Sequence, residues 1–235
     1  NFTYSSKVST YVNDWGPITS KQCYDSDGDG AFNTSSDATC LGYRDCNDNN
    51  ASLLPPRAGL TITANTWLCN GTFYLNATTS ISFFASDISL TCNNTNIIGN
   101  TSGTGIASLT RNNITLSGCT VSNYSIGILI FKNVNSRIIN NLVNRCGTSY
   151  LLNEGSNNIL INDSSFNAIS SGLSLQYHNN TNLTNINISG FNIGVDLYNS
   201  SGNIFKNLSV SSGNYGLYFR NSAANNTINM SRVTN

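Results

Sequence analysis

The chain is short of charge. Only 9% of its 235 residues are Asp, Glu, Lys or Arg, and eleven basic residues cancel eleven acidic ones. That balance excludes the basic face of a nucleic-acid binder and the polybasic cluster of a peripheral membrane anchor. Long apolar runs are missing too, so no stretch approaches the roughly 18–20 consecutive apolar residues of a membrane span. There is one histidine, His178. It lies in "QYHNNT", a predicted corner, and reads as a solvated turn residue rather than a catalyst. There are three prolines, Pro17, Pro55 and Pro56, so none interrupts the long remainder of the chain. The first residue is Asn1 and not Met, which is expected of a processed form or a fragment, with any signal peptide, anchor or span lost from view.

What the chain has in abundance is asparagine. It holds 41 Asn, with Ser and Thr together at 56. Asn-x-Ser/Thr acceptor sites occur at Asn1, Asn33, Asn50, Asn70, Asn76, Asn93, Asn100, Asn113, Asn123, Asn162, Asn179, Asn182, Asn187, Asn199, Asn207, Asn225 and Asn229. Composition alone predicts about ten such sites, so there is an excess. The excess points to a secreted, N-glycosylated surface, and its density to a microbial, archaeal one. Seven cysteines agree with an oxidising compartment.

The second abundance is periodicity. An apolar residue recurs at Val121, Val143, Phe166, Ile188 and Val210, and a glycine column runs Gly105, Gly127, Ser149, Gly172, Gly194, Gly216 on the same 22–23-residue step. Paired apolar residues follow each glycine, as at Ile128 and Ile130 or Leu217 and Phe219. A third column, Leu116, Ile138, Ile161, Leu183 and Phe205, precedes the first. Local alternation of period two predicts strands. Short strands repeated every 22 residues cannot each close a core, but stacked they bury a continuous one, so the period predicts a solenoid.

Segments such as "NNITLSGCTVSNYSIGILI" and "GNIFKNLSVSSGNYGLYF" resemble the parallel β-helix repeats of the pectin-lyase-like and NosD-like superfamily, over roughly residues 60–235. The resemblance implies an all-β fold, a right-handed parallel β-helix of six to seven coils with three strands each. It is specific for fold and weak for activity, since the superfamily holds lyases, hydrolases, adhesins and surface proteins. Asn suits the corners, because it tolerates left-handed backbone and can stack its amide from coil to coil. The recurring glycine is expected to make room at a tight corner.

The first 56 residues differ. Seven of the eleven acids lie between Asp14 and Asp48, and "DSDGDGAFN" sets Asp25, Asp27 and Asp29 on alternate positions before Gly30. Alternating carboxylates in a glycine-containing loop converge on a hard cation, and calcium takes six to eight oxygens. With "RDCNDNNASLLPP" the segment resembles a short calcium-binding motif of secreted microbial proteins. That resemblance implies ligands at Asp25, Asp27, Asp29, Asp45 and Asp48, a Cys40–Cys46 disulfide and a structural calcium, with Asn47 standing where an acid is usual. The expected organisation is an N-terminal arm over 1–20, the calcium module over 21–56 and the β-helix over 57–235. Cys69 and Cys92, about one coil apart, are expected to pair. Alternation points Cys119 into the core, where a free thiol is unremarkable, and the pairing of Cys23, Cys119 and Cys146 is left open.

No catalytic constellation is visible. Beyond Asp48 the acids are Asp87, Glu154, Asp163 and Asp196, with none paired in phase for hydrolysis. Arg111, Arg137 and Arg145 are likewise out of phase, and no column of exposed aromatics stands out. The expectation is a non-enzyme: a glycosylated extracellular filament or surface-layer subunit whose partners are its own copies. Head-to-tail assembly would use Phe2, Tyr4 and Val8 of the arm and the open solenoid end. A monomeric glycan-binding adhesin is the rival, and a degenerate polysaccharide lyase a weaker one.

Overall fold

The computed structural model describes residues 24–28, 31–32, 43–44, 46–47, 49–211 and 213–234. The chain divides into two compact units, Asn1–Ala51 and Ser52–Asn235. In the first, the described strands Ala31–Phe32 and Tyr43–Arg44 pair in parallel. Among the described residues every regular element is a strand and no helix is long and apolar enough to cross a membrane.

The second unit is a parallel β-helix of three sheets. One has eight strands, from Leu60–Ile62 to Tyr215–Arg220; from Thr104 on its strands are six residues long, and it is called here the long-strand sheet. A nine-stranded sheet runs from Leu53–Leu54 to Thr227–Asn229, and an eight-stranded one from Gly71–Tyr74 to Arg232–Thr234. Each strand pairs with its equivalent one coil away, as in Ile128↔Tyr150 and Tyr150↔Leu173. Successive coils are therefore one strand spacing apart, ~4.8 Å. Eight coils stack, not six to seven. Early steps are irregular, such as Leu60↔Ile81 and Thr79↔Thr104, so columns locked to a 22-residue step overlook them.

Two columns slip by one residue. The apolar row passes through Ser165, not Phe166: Val143 pairs with Ser165 and Ser165 with Ile188. The other row passes through Leu160, not Ile161. A slip of one residue turns a side chain to the opposite face; Ser165 and Leu160 are buried and Phe166 and Ile161 only partly so. The extra residue lies later, in the corner between Phe166 and Ser171, where Ile169 is 78% exposed.

The glycine column follows from close approach. A Cβ on Gly105 would stand 2.5 Å from Val121 Cγ1, and Gly127, Gly172 and Gly194 meet Val143, Ile188 and Val210 as tightly. Each glycine thus faces the apolar residue sixteen positions on. By that offset the one exception, Ser149, faces Ser165, the one small member of the opposing row. Tyr150, fully buried beside them, spans the vacated core, and its hydroxyl reaches the Asn141 and Ser164 carbonyls at 3.0 and 3.1 Å.

Asparagine occupies the corners as expected. Of the 22 described non-glycine residues with positive φ, 14 are Asn, the residue whose short amide best tolerates left-handed backbone. Asn162 Nδ2 donates to Asn140 Oδ1, Asn185 to Asn162 and Asn207 to Asn185, at 2.8–3.0 Å. Each amide in this ladder sends its Nδ2 toward the preceding coil.

Candidate functional surfaces

In the first unit, Asp25 and Asp27 are described and both are partly exposed. Asp25 Oδ1 accepts the Gly28 N–H at 2.8 Å, and Gly28 has φ +79°. This is an Asx turn that curls the acidic segment. Asp29, Asp45, Asp48 and Cys40 lie outside the described residues, as do Cys23, Asn1, Asn33, Phe2, Tyr4 and Val8. Among described residues no three His, Cys, Asp or Glu side chains gather as a metal site.

His178 is not a solvated turn residue. It is fully buried in the corner between the long-strand and nine-stranded sheets. Its Nε2 lies 2.9 Å from Asn158 Nδ2 and its Nδ1 2.9 Å from Thr181 Oγ1. Asn158 accepts from the Ser136 N–H through its Oδ1, so its Nδ2 must donate, and the ring is neutral with its proton on Nδ1. Space for the ring comes from Gly155, where a Cβ would stand 2.7 Å from Nε2. Burial lowers the His178 pKa to about 4. A residue 23 positions earlier makes this site, so inspection of the local "QYHNNT" segment could not reveal it.

Asp163 is also buried. Its Oδ1 accepts the Asn141 backbone N–H at 2.7 Å and Asn141 Nδ2 at 3.0 Å. Its Oδ2 is buried with no partner, and burial raises its pKa to about 7. The group occupies a place in the interior amide ladder that Asn141 fills one coil earlier.

The cysteine assignments change. Cys92 pairs with Cys119 across 27 residues, not with Cys69, and Cys119 is no free thiol. Spacing could not choose between loops of 23 and 27 residues, whose closure entropies hardly differ. Cys46 and Cys69 are each in other disulfides. The free cysteine among described residues is Cys146, buried in the core with its thiol pushed up to about 11 by desolvation.

An aromatic patch that no sequence column announced lies at the end of the long-strand sheet. Tyr177 and Tyr198 meet edge to face at 5.3 Å, and Tyr215 stacks on Tyr218 at 5.1 Å. The Arg220 guanidinium lies 5.1 Å from the Tyr198 ring and 5.4 Å from the Tyr218 ring. Asp196 holds it in a two-point pair, with Nε–Oδ1 at 2.9 Å and a second bond from Nη2 to Oδ2. Tyr177 and Tyr215 are 49% and 52% exposed. The patch joins residues from three coils with different column positions, so no single repeat column carries it.

The fifteen described acceptor asparagines are all accessible. Asn123, Asn179 and Asn199 are partly buried, and Asn50, Asn70, Asn76, Asn93, Asn100, Asn113, Asn162, Asn182, Asn187, Asn207, Asn225 and Asn229 are exposed. The fully buried asparagines, Asn133, Asn141, Asn158 and Asn203, all lack the Ser or Thr two residues on. None of these sites lies on a strand of the long-strand sheet.

The terminal coil exposes its inner row. Phe219, Ile228 and Val233 are 45%, 37% and 41% exposed, whereas their register partners Leu197, Phe205 and Val210 are at most 1%.

No curated protein and no solved structure matches the chain. The parallel coils, the three sheets and the 22-residue register are what the β-helix resemblance implies. Residues 58–233 match the family model described as "Periplasmic copper-binding protein (NosD)", and the chain belongs to that family.

Proposed function

We propose that this chain is a non-catalytic, N-glycosylated structural protein of the cell surface, which assembles head to tail into a filament or surface layer. The observation that carries the reading is the accessibility of all fifteen described acceptor asparagines on a stacked parallel β-helix. In the proposed assembly the contact joins the coil of Phe219, Ile228 and Val233 to the first coil of a second copy and its arm at Phe2, Tyr4 and Val8. Successive copies joined by one heterologous contact form an open polymer. The accessible acceptor sites support the glycoprotein reading, and the family's periplasmic description supports a place outside the cytoplasm. Non-catalysis is supported by the burial of Asp163 and His178, which no substrate reaches. It is supported also by the engagement of Asp196 with Arg220.

The test is electron microscopy of the full chain beside Phe219→Glu and Val233→Glu variants. Filaments from the parent and short rods from folded variants support the reading. Short rods from all three sink it. The tyrosine patch favours a second reading, a monomeric glycan-binding adhesin, which predicts a monomer by native mass in every sample.

Calcium at Asp25, Asp27, Asp29, Asp45 and Asp48 belongs to the same proposal, as a structural ion in a carboxylate loop. The family's description names copper instead. Copper sites are built from imidazole, thiolate and thioether groups. In the matched span both ring nitrogens of His178 are engaged. Cys69, Cys92 and Cys119 are in disulfides, Cys146 is buried alone, and Met230 stands exposed on the terminal coil. The described residues do not fit a copper site.

A further inference from the structure

We propose that an N-glycan on Asn199 seats its first sugar on the ring of Tyr177, so that this acceptor site and the tyrosine patch work as one unit. The inference rests on the glycoprotein reading and adds to it a site and a sugar-binding surface. Asn199 follows Tyr198 directly and has left-handed backbone, φ +47°. Gln176 pairs with Tyr198, so Tyr177 is the neighbour of Asn199 on the preceding coil, one strand spacing or ~4.8 Å away along the stack. Asn199 Oδ1 accepts the Ser222 N–H from the following coil at 3.1 Å. That bond turns the oxygen forward and leaves Nδ2 facing backward, the sense already seen along the Asn140–Asn207 ladder. The atom that carries a glycan therefore faces the coil that carries Tyr177.

The position is selective. In the regular coils the register neighbours before other acceptor sites are not aromatic: Asn140 precedes Asn162, Ile159 precedes Asn182, Ser164 precedes Asn187 and Lys206 precedes Asn229. Tyr177 is 49% exposed and meets Tyr198 edge on, which leaves ring surface open to a ligand. The C–H face of a neutral pyranose packs on such a ring through apolar burial and weak C–H contacts. Asp196 compensates the charge of Arg220, so the patch offers no net charge to an acidic sugar. Attachment joins Nδ2 to the sugar C1. The C1–oxygen bond to the diphosphate of a lipid-linked oligosaccharide donor breaks, and Nδ2 gives up one proton while its remaining N–H is kept.

The experiment uses the full chain from a host that N-glycosylates, with glycopeptide mass spectrometry for occupancy and tetranitromethane nitration of Tyr177 as the probe. Ser201→Ala removes the acceptor motif and leaves the Asn199 side chain in place; Asn199→Gln is the second variant and Asn187→Gln the control. Loss of the Asn199 glycan is expected to raise Tyr177 nitration about threefold as the ring face opens. It is also expected to lower the thermal midpoint by about 2–4 °C. Asn187→Gln should change neither. The same variants from a non-glycosylating host give the baseline for the substitutions themselves. Occupied acceptor sites elsewhere with Asn199 bare would overturn this proposal and leave the glycoprotein reading standing. Nitration that ignores an occupied Asn199 would overturn it as well. A chain bare at every site ends both.

Discussion

Asparagine and its acidic counterpart are used in two environments, and the backbone separates them. Outward amides take the left-handed corners, while inward ones cap the backbone of the preceding coil, as Asn141 does for the Cys119 N–H at 3.0 Å. Asp163 sits in the inward set as a carboxyl, and His178 is buried a few residues further on. Their effects on pH dependence oppose. The folded pKa of His178, about 4, lies below the usual 6.5, so its contribution is present above pH 6.5 and lost as pH falls through 4, about 3 kcal/mol in all. The folded pKa of Asp163, about 7, lies above 3.8, so its contribution is present below pH 3.8 and lost as pH rises through 7, about 4 kcal/mol. The parent should therefore show a shallow profile between pH 4 and 7. Asp163→Asn, whose Nδ2 can reach the Ile138 carbonyl as Asn141 Nδ2 reaches Leu116 at 3.3 Å, should be more stable than the parent at pH 8. It should lose stability steeply below pH 6.5, and denaturant midpoints across that range check both points. The corner asparagines were legible in the sequence because left-handed preference is a local property. His178 was not, because the glycine that admits its ring lies one coil away.

Strands in this fold are specified by pairs of columns rather than by single ones. Gly194→Ala sets a methyl against Val210 and the Gly216 carbonyl and should cost about 1–3 kcal/mol by overpacking. Adding Val210→Ser should recover part of that loss, because the chain itself already sets Ser149 against Ser165. A double-mutant cycle on unfolding free energies reads the coupling, and strict additivity would contradict the pairing. The Cys92–Cys119 bridge joins neighbouring coils near the irregular start of the stack. Cys92→Ser with Cys119→Ser should cost about 2–4 kcal/mol, and non-reducing peptide mapping should find that pair and no Cys69–Cys92 peptide. The repeat made strands, sheets and stacking legible. The slip at Phe166 comes from the extra residue in the Phe166–Ser171 corner: a fixed offset of six before the glycine column lands on Phe166, whereas the row member Ser165 stands seven before Gly172.

At the scale of the molecule, a stack in which each coil touches its neighbours gains stability by nearest-neighbour terms. Coils at the ends should open first, so hydrogen exchange is expected to be fastest in the terminal coil around Thr227–Asn229 and slowest around Ile128–Leu175. Calcium, if bound at the acidic loop, should leave that gradient unchanged and alter only the first unit: chelation should speed proteolysis within residues 24–50 while strand circular dichroism stays constant. A loss of strand signal on chelation would count against a local structural ion. The class of fold was legible from period alone, and so was its accessible asparagine surface. The tyrosine patch was not, since Tyr177, Tyr198, Tyr215, Tyr218 and Arg220 become neighbours only once three coils are stacked in register. The corner at Ile169 carries a further lesson. One additional residue is absorbed there, and the strands on either side keep their register. That corner is a splice point: a longer graft between Asn167 and Ser170 should emerge from the stack as a displayed loop, leaving the coils above and below to pair as before.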